Sequence, residues 1–393
     1  MSLSRTDTSR IAAWTFTIDR NLLGALLGLI GLGVVLSFAA SPSVALKKGL
    51  PTYYFVERHV VIAGLGVLVM LAVSLLTPAG VRRLALGALM AALAGMVFVS
   101  ISGAELNGAQ RWLSFGGYSL QPSEFAKPAF IVVMAWLFSQ AQSRRDMPAL
   151  PLAIGLWALF VALLVMQPDI GQTALISATA GILYLLAGMP VIGAAILALL
   201  GGCGVWFAYQ YFGHVHSRLD RFFNPLPFEN FQIGRAIQSF TEGGFFGRGP
   251  GEGTIKSILP DAHTDFIYAV VAEEYGVVAC FAILMLYGYI VVKSLIRAAE
   301  EPQAADRLAI QGLAIVFGLQ ALINMGVNVG LLPPKGMTLP FISAGGSSIL
   351  ALALTAGMLL ALTRRRANPQ RLKKPRLVAD IDDLKFQGRA GIR

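Results

Sequence analysis

Apolar residues run along this chain in blocks long enough to cross a bilayer, separated by short polar breaks. A membrane-spanning helix needs about 20 consecutive apolar residues. Ten such segments can be drawn, over 21–41, 59–77, 83–102, 123–141, 150–167, 171–188, 190–211, 264–296, 308–331 and 341–363. The finest division falls at Gly188-Met189-Pro190, where an uncharged Gly/Pro turn splits a run too long for one helix; a nine-span reading stands beside the ten-span one. The pattern predicts an all-α polytopic integral membrane protein of about ten transmembrane helices, with one long extracytoplasmic loop, 212–263, between the seventh and eighth. A short cytoplasmic tail over 1–20 precedes the membrane domain, 21–363, and a basic tail over 364–393 follows it. The first apolar run, Leu22 to Ala40, is too long for the core of a cleavable signal and reads as an anchor that stays.

Composition agrees with lipid as the main solvent. Of 393 residues 56% are hydrophobic and 13% charged, with a mean hydropathy of +0.68. A soluble domain carries about 25% charged residues, so this chain lacks enough charge to clothe a water-facing surface. The net charge of +10 sits in loops and ends rather than in one patch. That distribution speaks for membrane orientation and against a nucleic-acid partner. With both ends inside, 20 of the 31 Lys and Arg fall on the cytoplasmic side, and the short 77–83 loop carries only the basic pair Arg82 and Arg83. Both termini are therefore expected in the cytoplasm. The tail beyond Arg366, with Pro369 and Pro375, reads as disordered, and Arg364 to Lys374 should lie against anionic lipid headgroups. Cys203 and Cys280 sit in apolar runs and read as buried small hydrophobes.

Three features stand out against the apolar background. The first is the 212–263 loop, with Arg218, Asp220 and Arg221, a turn at Asn224-Pro225-Leu226-Pro227, and a stretch in which Ile233, Ala236, Ile237 and Phe240 share a helical face. That face predicts a helix lying at the membrane interface. The run Gly243-Gly244-Phe245-Phe246-Gly247-Arg248-Gly249 follows. Gly243 and Gly244 would let backbone N–H groups approach an anionic substrate; a flexible tight turn is the plainer alternative.

The second feature is a set of ionisable residues at or near membrane depth: Glu124, Lys127, Asp169, Asp265, Glu273 and Glu274. Such groups are costly in hydrocarbon and point to a protein interior or a wet cavity. Glu124 and Lys127 are three apart on one helix and can pair. Asp169 either caps the sixth span or belongs to a site, and the same choice holds for Asp265 and its neighbour Thr264. On a helix Asp265 and Glu273 would lie about 80° apart and could share a cavity, with Glu274 turned to another neighbour. The third feature is polar, Gly/Pro-broken backbone at the outer ends of spans: Arg111-Trp112, Gln121-Pro122-Ser123, and Asn324 to Ser348.

These parts suit an anionic, hydroxyl-rich substrate carried on a lipid. Arg111, Lys127 and Lys335 would hold a diphosphate while a carboxylate takes a proton from a sugar hydroxyl. Transfer at an anomeric carbon with a diphosphate leaving group often needs a divalent cation, Mg²⁺ or Mn²⁺. The chain has no aspartate-rich metal motif, and its four histidines are scattered.

Gln121-Pro122-Ser123-Glu124-Phe125-Ala126-Lys127, Gln167-Pro168-Asp169-Ile170-Gly171, Leu259-Pro260 with His263-Thr264-Asp265-Phe266-Ile267, Glu273-Glu274-Tyr275-Gly276, and Leu339-Pro340-Phe341-Ile342-Ser343 with Gly345-Gly346-Ser347-Ser348 occur in order through the ten-span body. Together they resemble the signature blocks of the SEDS family (shape, elongation, division and sporulation). Around Lys335 the chain is closer to the cell-division branch than to the elongation branch. Ala344 departs from the tyrosine usual before the paired glycines.

The resemblance implies a peptidoglycan glycosyltransferase that polymerises lipid II at the outer face of the bacterial cytoplasmic membrane, at the division septum. It implies that Asp265 is the essential loop aspartate, acting as general base or positioning a metal, that His263 beside it contacts substrate, and that Glu124, Lys127 and Asp169 line a polar cavity. It also implies a class B penicillin-binding protein transpeptidase with one membrane span as partner, together with division regulators. A lipid II flippase and a non-catalytic scaffold remain the alternatives.

Overall fold

The computed structural model describes residues 9–102, 104–106, 109–115, 118–144, 146–211, 213, 216, 231–334 and 336–365. Its helices are α1 (Arg10–Thr17), α2 (Arg20–Lys47), α3 (Tyr54–Ser74), α4 (Pro78–Ser102), α5 (Pro122–Ser143), α6 (Ala149–Met166), α7 (Ile170–Leu186), α8 (Val191–Tyr211), α9 (Phe231–Gly243), α10 (Ile267–Ala299), α11 (Ala304–Asn328) and α12 (Gly346–Leu362). The chain divides into two units, residues 1–18 with 364–393, and residues 19–363. In the small unit, Ser9 caps α1, Arg364 Nε donates to Thr17 Oγ1 at 2.9 Å and the Arg365 N–H to Thr17 O at 2.8 Å.

Among the described residues of the large unit, ten helices of 17 residues or more follow the ten apolar segments in order. Seven of them are long and apolar enough to cross a membrane; α7 and α12 are shorter, and α5 carries the buried Glu124 and Lys127. The turn expected between the sixth and seventh segments is present, with Gly188 at φ +73° between α7 and α8. The first helix runs further than drawn, to Lys47, and the next begins at Tyr54.

Among the described residues the body is all-α apart from one short polar connection. Between α4 and α5 a small antiparallel sheet, β1 (Ala104–Leu106), β2 (Ala109–Phe115) and β3 (Tyr118–Leu120), pairs in the order β1-β2-β3. Its ladders satisfy backbone groups that a polar, non-helical segment would leave open. Asn107-Gly108 and Gly116-Gly117 stand between the strands in sequence, and dipeptides of this kind are hairpin signals.

The core is built by α3 against α12, α5 against α4 and α11, and α10 against α11 and α2. Close approaches use glycine. A Cβ on Gly33 of α2 would run into the Phe341 carbonyl, and one on Gly312 of α11 would meet Ile131 at 2.5 Å. At the start of α2, Asp19 accepts N–H groups of Asn21 and Leu22 and binds Arg297 Nε at 2.6 Å; Arg297 also holds Glu300 at 2.8 Å. Cys280 is buried as expected, whereas Cys203 is exposed on α8.

The amphipathic stretch forms α9, but it docks on protein. Its buried residues are Ile233, Ala236, Ser239 and Gly243, packed against α10, while Ile237 is 43% exposed. The rest of the long loop's charged and proline-rich part, 217–230, lies outside the described residues, as do Lys335, residues 1–8 and the tail beyond Arg365.

Candidate functional site

Two polar regions meet along one stripe of α11. The first is built on α5 and α7. Proline at the first turn of α5 starts the helix without needing an N–H donor there. One turn in, Glu124 and Lys127 form the expected i, i+3 pair, Glu124 Oε2 to Lys127 Nζ at 2.9 Å, both 4% exposed. Gln172 Nε2 donates to Glu124 Oε1 at 2.6 Å, and Lys127 Nζ donates to Gln320 Oε1 at 2.9 Å. A cavity of about 10 Å³, room for about one water, adjoins the pair and is lined also by Phe317, Gln320, Leu352 and Thr355.

Asp169 has both of the roles open to it. It caps α7 by accepting the Gln172 N–H at 3.3 Å, and it faces Arg111 Nη1 at 3.6 Å and Gln121 Nε2 at 3.5 Å. Arg111, on β2, also donates Nε to Gln167 O at 2.7 Å and Nη2 to Pro168 O. Two of the three cations expected to hold a diphosphate are thus already engaged, Lys127 by Glu124 and Gln320 and Arg111 by Asp169 and two carbonyls; the third, Lys335, lies outside the described residues.

The second region is the loop before α10. Phe266, not Thr264 or Asp265, is the N-cap of α10, and it gives no side-chain cap. Thr264 Oγ1 donates to Asp261 O, and the Asp265 carboxylate has no hydrogen-bond partner among the described residues. The backbone of Asp265, in contrast, is held twice. Its carbonyl accepts from Asn324 Nδ2 and Asn328 Nδ2, each at 2.9 Å. Asn324 Nδ2 also donates to Met337 O at 2.6 Å, and Ser343 Oγ bridges the Thr264 carbonyl and the Leu339 N–H. Asp265 is half-buried, and Asp265 Oδ2 lies 3.7 Å from the Cβ position of Gly336. Burial first, and the neighbouring Asp261 carboxylate second, push the Asp265 carboxyl up to about 7. A carboxyl poised there can accept a proton near neutral pH. His263 is 7% exposed, with its ring 4.8 Å from that of Phe55, and burial with Lys48 lowers it to about 4.

Gln320, Asn324 and Asn328 are spaced by four on α11 and link the two regions. Gln320 Nε2 donates to Thr338 O at 3.1 Å while its Oε1 holds Lys127, and Asn328 Oδ1 accepts the Ala269 N–H at 3.1 Å. Gln320 and Gln172 were missed in the sequence reading. The i, i+4, i+8 recurrence of amides in an otherwise apolar helix was the signal for the stripe.

Glu273 and Glu274 do not join Asp265. Asp265 precedes the helix, so the helical angle drawn between it and Glu273 does not apply. Glu273 Oε1 accepts the N–H groups of Thr254 at 2.6 Å and Ile255 at 2.7 Å, and Oε2 that of Lys256 at 3.0 Å. Glu274 accepts the Gly251 N–H at 3.0 Å and pairs with Lys256. These bonds tie the 249–257 segment to α10 where it breaks at Gly276, φ +80°. The glycine run serves the same junction. A Cβ on Gly243 would strike the Ala272 carbonyl, the Gly244 N–H donates to Phe240 O at 3.2 Å, and Gly244 O accepts the Val277 N–H at 2.9 Å. Gly243 and Gly244, expected to cradle an anion, are engaged in chain packing because the broken α10 needs backbone-to-backbone approach here.

Among the described residues no three His, Cys, Asp or Glu side chains cluster as a metal site. Asp261 and Asp265 are near enough for one to raise the other. Two carboxylates completed by substrate phosphates fit a Mg²⁺-type ion, which rarely takes an all-protein cage.

Known proteins resemble this chain over most of its length. The "Probable peptidoglycan glycosyltransferase FtsW" of Caulobacter vibrioides is 43% identical over 93% of this chain and 94% of its own length. Its counterpart from Saccharophagus degradans is 33% identical over 88% and 92%. Among solved structures, a chain of a peptidoglycan synthase complex that coordinates polymerisation and crosslinking matches with a TM-score of 0.73 at 29% identity, covering 88% of this chain and 97% of that one. Thermus thermophilus RodA, a rod shape determining protein, matches at 0.63 and 27%, covering 88% and 96%. Residues 20–368 match the Cell cycle protein family of FtsW, RodA and SpoVE, and with the polar blocks above assembled in one helical membrane body, the chain belongs to that family.

Proposed function

We propose that the chain polymerises lipid II into glycan strands at the outer face of the cytoplasmic membrane, during septal division. The observation that carries this reading is the half-buried Asp265 carboxylate, left without a partner while its backbone is fixed by Asn324 and Asn328. A base needs that combination of fixed position and open oxygen. Asp265 takes the proton of the acceptor sugar's 4-hydroxyl as that oxygen bonds to the donor's anomeric carbon, and the bond from that carbon to the diphosphate breaks. With the Asp265 oxygen kept open for the proton, Asp261 and the substrate phosphates would hold a divalent cation, which when bound supplies charge to the departing diphosphate. The 390 Å³ apolar cavity between α5, α6, α7 and α8, lined by Met134, Phe138, Trp157 and Tyr184, suits a polyprenyl chain.

The reading includes ten spans with both termini in the cytoplasm, a single-span class B transpeptidase as partner, and division regulators that switch it on. What supports the partner is the likeness to a chain of a synthase complex. Purified protein with its transpeptidase, given lipid II, is expected to form polymer, to lose it with chelator and to regain it with Mg²⁺ or Mn²⁺. Absence of polymer together with lipid II movement across liposomes would replace this reading with a flippase.

A further inference from the structure

A helix N-terminus without acceptors and two imidazoles with unpartnered nitrogens converge beside the Asp265 loop. The N–H groups of Gly345, Gly346, Ser347 and Ser348 meet no acceptor among the described residues; only the Ile349 N–H bonds back, to Gly345 O at 3.0 Å. First-turn N–H groups and the helix dipole together attract anions. Gly345 caps α12 with no side chain of its own, and Ala344, Gly345 and Gly346 are partly exposed, whereas Ser347 and Ser348 are buried.

The imidazoles give this turn its meaning. His59 of α3 is 2% exposed, and neither ring nitrogen has a partner. Its position follows from its own helix. Ile62 lies 3.4 Å from the Cβ position of Gly346, and the Cβ position of Gly66 lies 3.3 Å from Ile349, so this face of α3 runs beside α12. One turn the other way, Phe55 meets the His263 ring at 4.8 Å. Residues four apart share a helix face, which puts His59 between these contacts, level with the residues that precede α12. His263 Nδ1 is also buried and unpartnered, and the His263 carbonyl takes the Ala344 N–H at 2.9 Å, fixing it to the same turn. Lys48 Nζ, 5.5 Å from the centre of the Phe55 ring, adds positive potential. Buried imidazole nitrogens with no partner are costly, and a ligand oxygen that accepts from the N–H of each ring removes the donor's share of that cost.

We propose that this turn is an anion subsite that takes a phosphate of a lipid-linked diphosphate through the α12 N–H groups, His59 and His263. The inference rests on the polymerase reading and names the substrate part that Lys127 and Arg111, already engaged, leave unheld. The test uses the full chain in phosphatidylcholine nanodiscs, with inorganic pyrophosphate and undecaprenyl diphosphate as probes. His59→Phe keeps a ring and removes both nitrogens, His59→Gln restores a donor and an acceptor, and Gly346→Pro removes one N–H where a helix tolerates proline.

His59→Phe and Gly346→Pro are expected to weaken binding at least about tenfold, as loss of charge-assisted hydrogen bonds does, with melting temperature kept and His59→Gln recovering most of the affinity. Loss with both probes assigns recognition to the phosphates alone; loss confined to undecaprenyl diphosphate assigns it to the lipid-linked form. Unchanged affinity in a folded His59→Phe or a folded Gly346→Pro overturns the subsite. His59-dependent pyrophosphate binding in a protein that makes no polymer would keep the subsite and sink the polymerase reading instead.

Discussion

The body holds its carboxylates in two opposite ways. On α5 and α7, Glu124 and Asp169 are each matched by a cation and an amide, and Glu273 and Glu274 on α10 are fully taken by backbone N–H groups and Lys256. On the loop just before α10 the pattern inverts: the backbone of Asp265 is held and its carboxylate is open. Burial of an acid therefore does not mark the reactive one here. A buried charge must be neutralised or bonded to exist at all, so matched acids report architecture. The half-buried acid left unmatched is the one with capacity for chemistry.

The strongest way to break this contrast is Asp265→Ala. Polymerisation should fall by about 10²- to 10⁴-fold, the usual worth of a general base, while the melting temperature stays put because no side-chain bond is lost. A large drop in melting temperature would show that Asp265 is architectural after all. Lys127→Ala should do the reverse, destabilising by about 3–5 kcal/mol because it leaves Glu124 buried and uncompensated. Differential thermal unfolding reads this, and Lys127→Met with Glu124→Gln should regain much of it.

Glu273→Ala sharpens the comparison within α10. Three N–H groups lose their acceptor, at about 1–3 kcal/mol for a buried unsatisfied donor, so amide exchange should quicken over 249–257 while Asp265 keeps its Asn324 and Asn328 bonds. The smallest effect is expected for Arg82→Ala. Its pair with Asp306 at 2.8 Å joins an arginine side chain 34% exposed to an aspartate side chain 6% exposed, so water reaches the pair from the arginine side and the loss should stay below that of Lys127→Ala. A loss of several degrees in melting temperature would mean that this end of α4 and α11 is more tightly coupled than the geometry indicates.

Amino-acid order alone determined the helical membrane body, the position of nearly every helix, and the Glu124–Lys127 pair, because hydrophobic length and i, i+3 spacing are local properties. The blocks that carry chemistry were legible for the same reason, as short runs of polar residues in an apolar chain. Tertiary structure alone decided what each polar residue does. Arg111 meets Asp169 across 58 positions and Lys127 meets Gln320 across 193, and no periodicity within one helix contains such pairings. The glycines at 243 and 244 read either as an anion cradle or as a tight turn until the break in α10 showed what lies against them, and His59 carried no signal within its own apolar helix. Charge in a low-dielectric interior takes its role from whatever neighbour compensates it, and in this fold the neighbours come from distant segments.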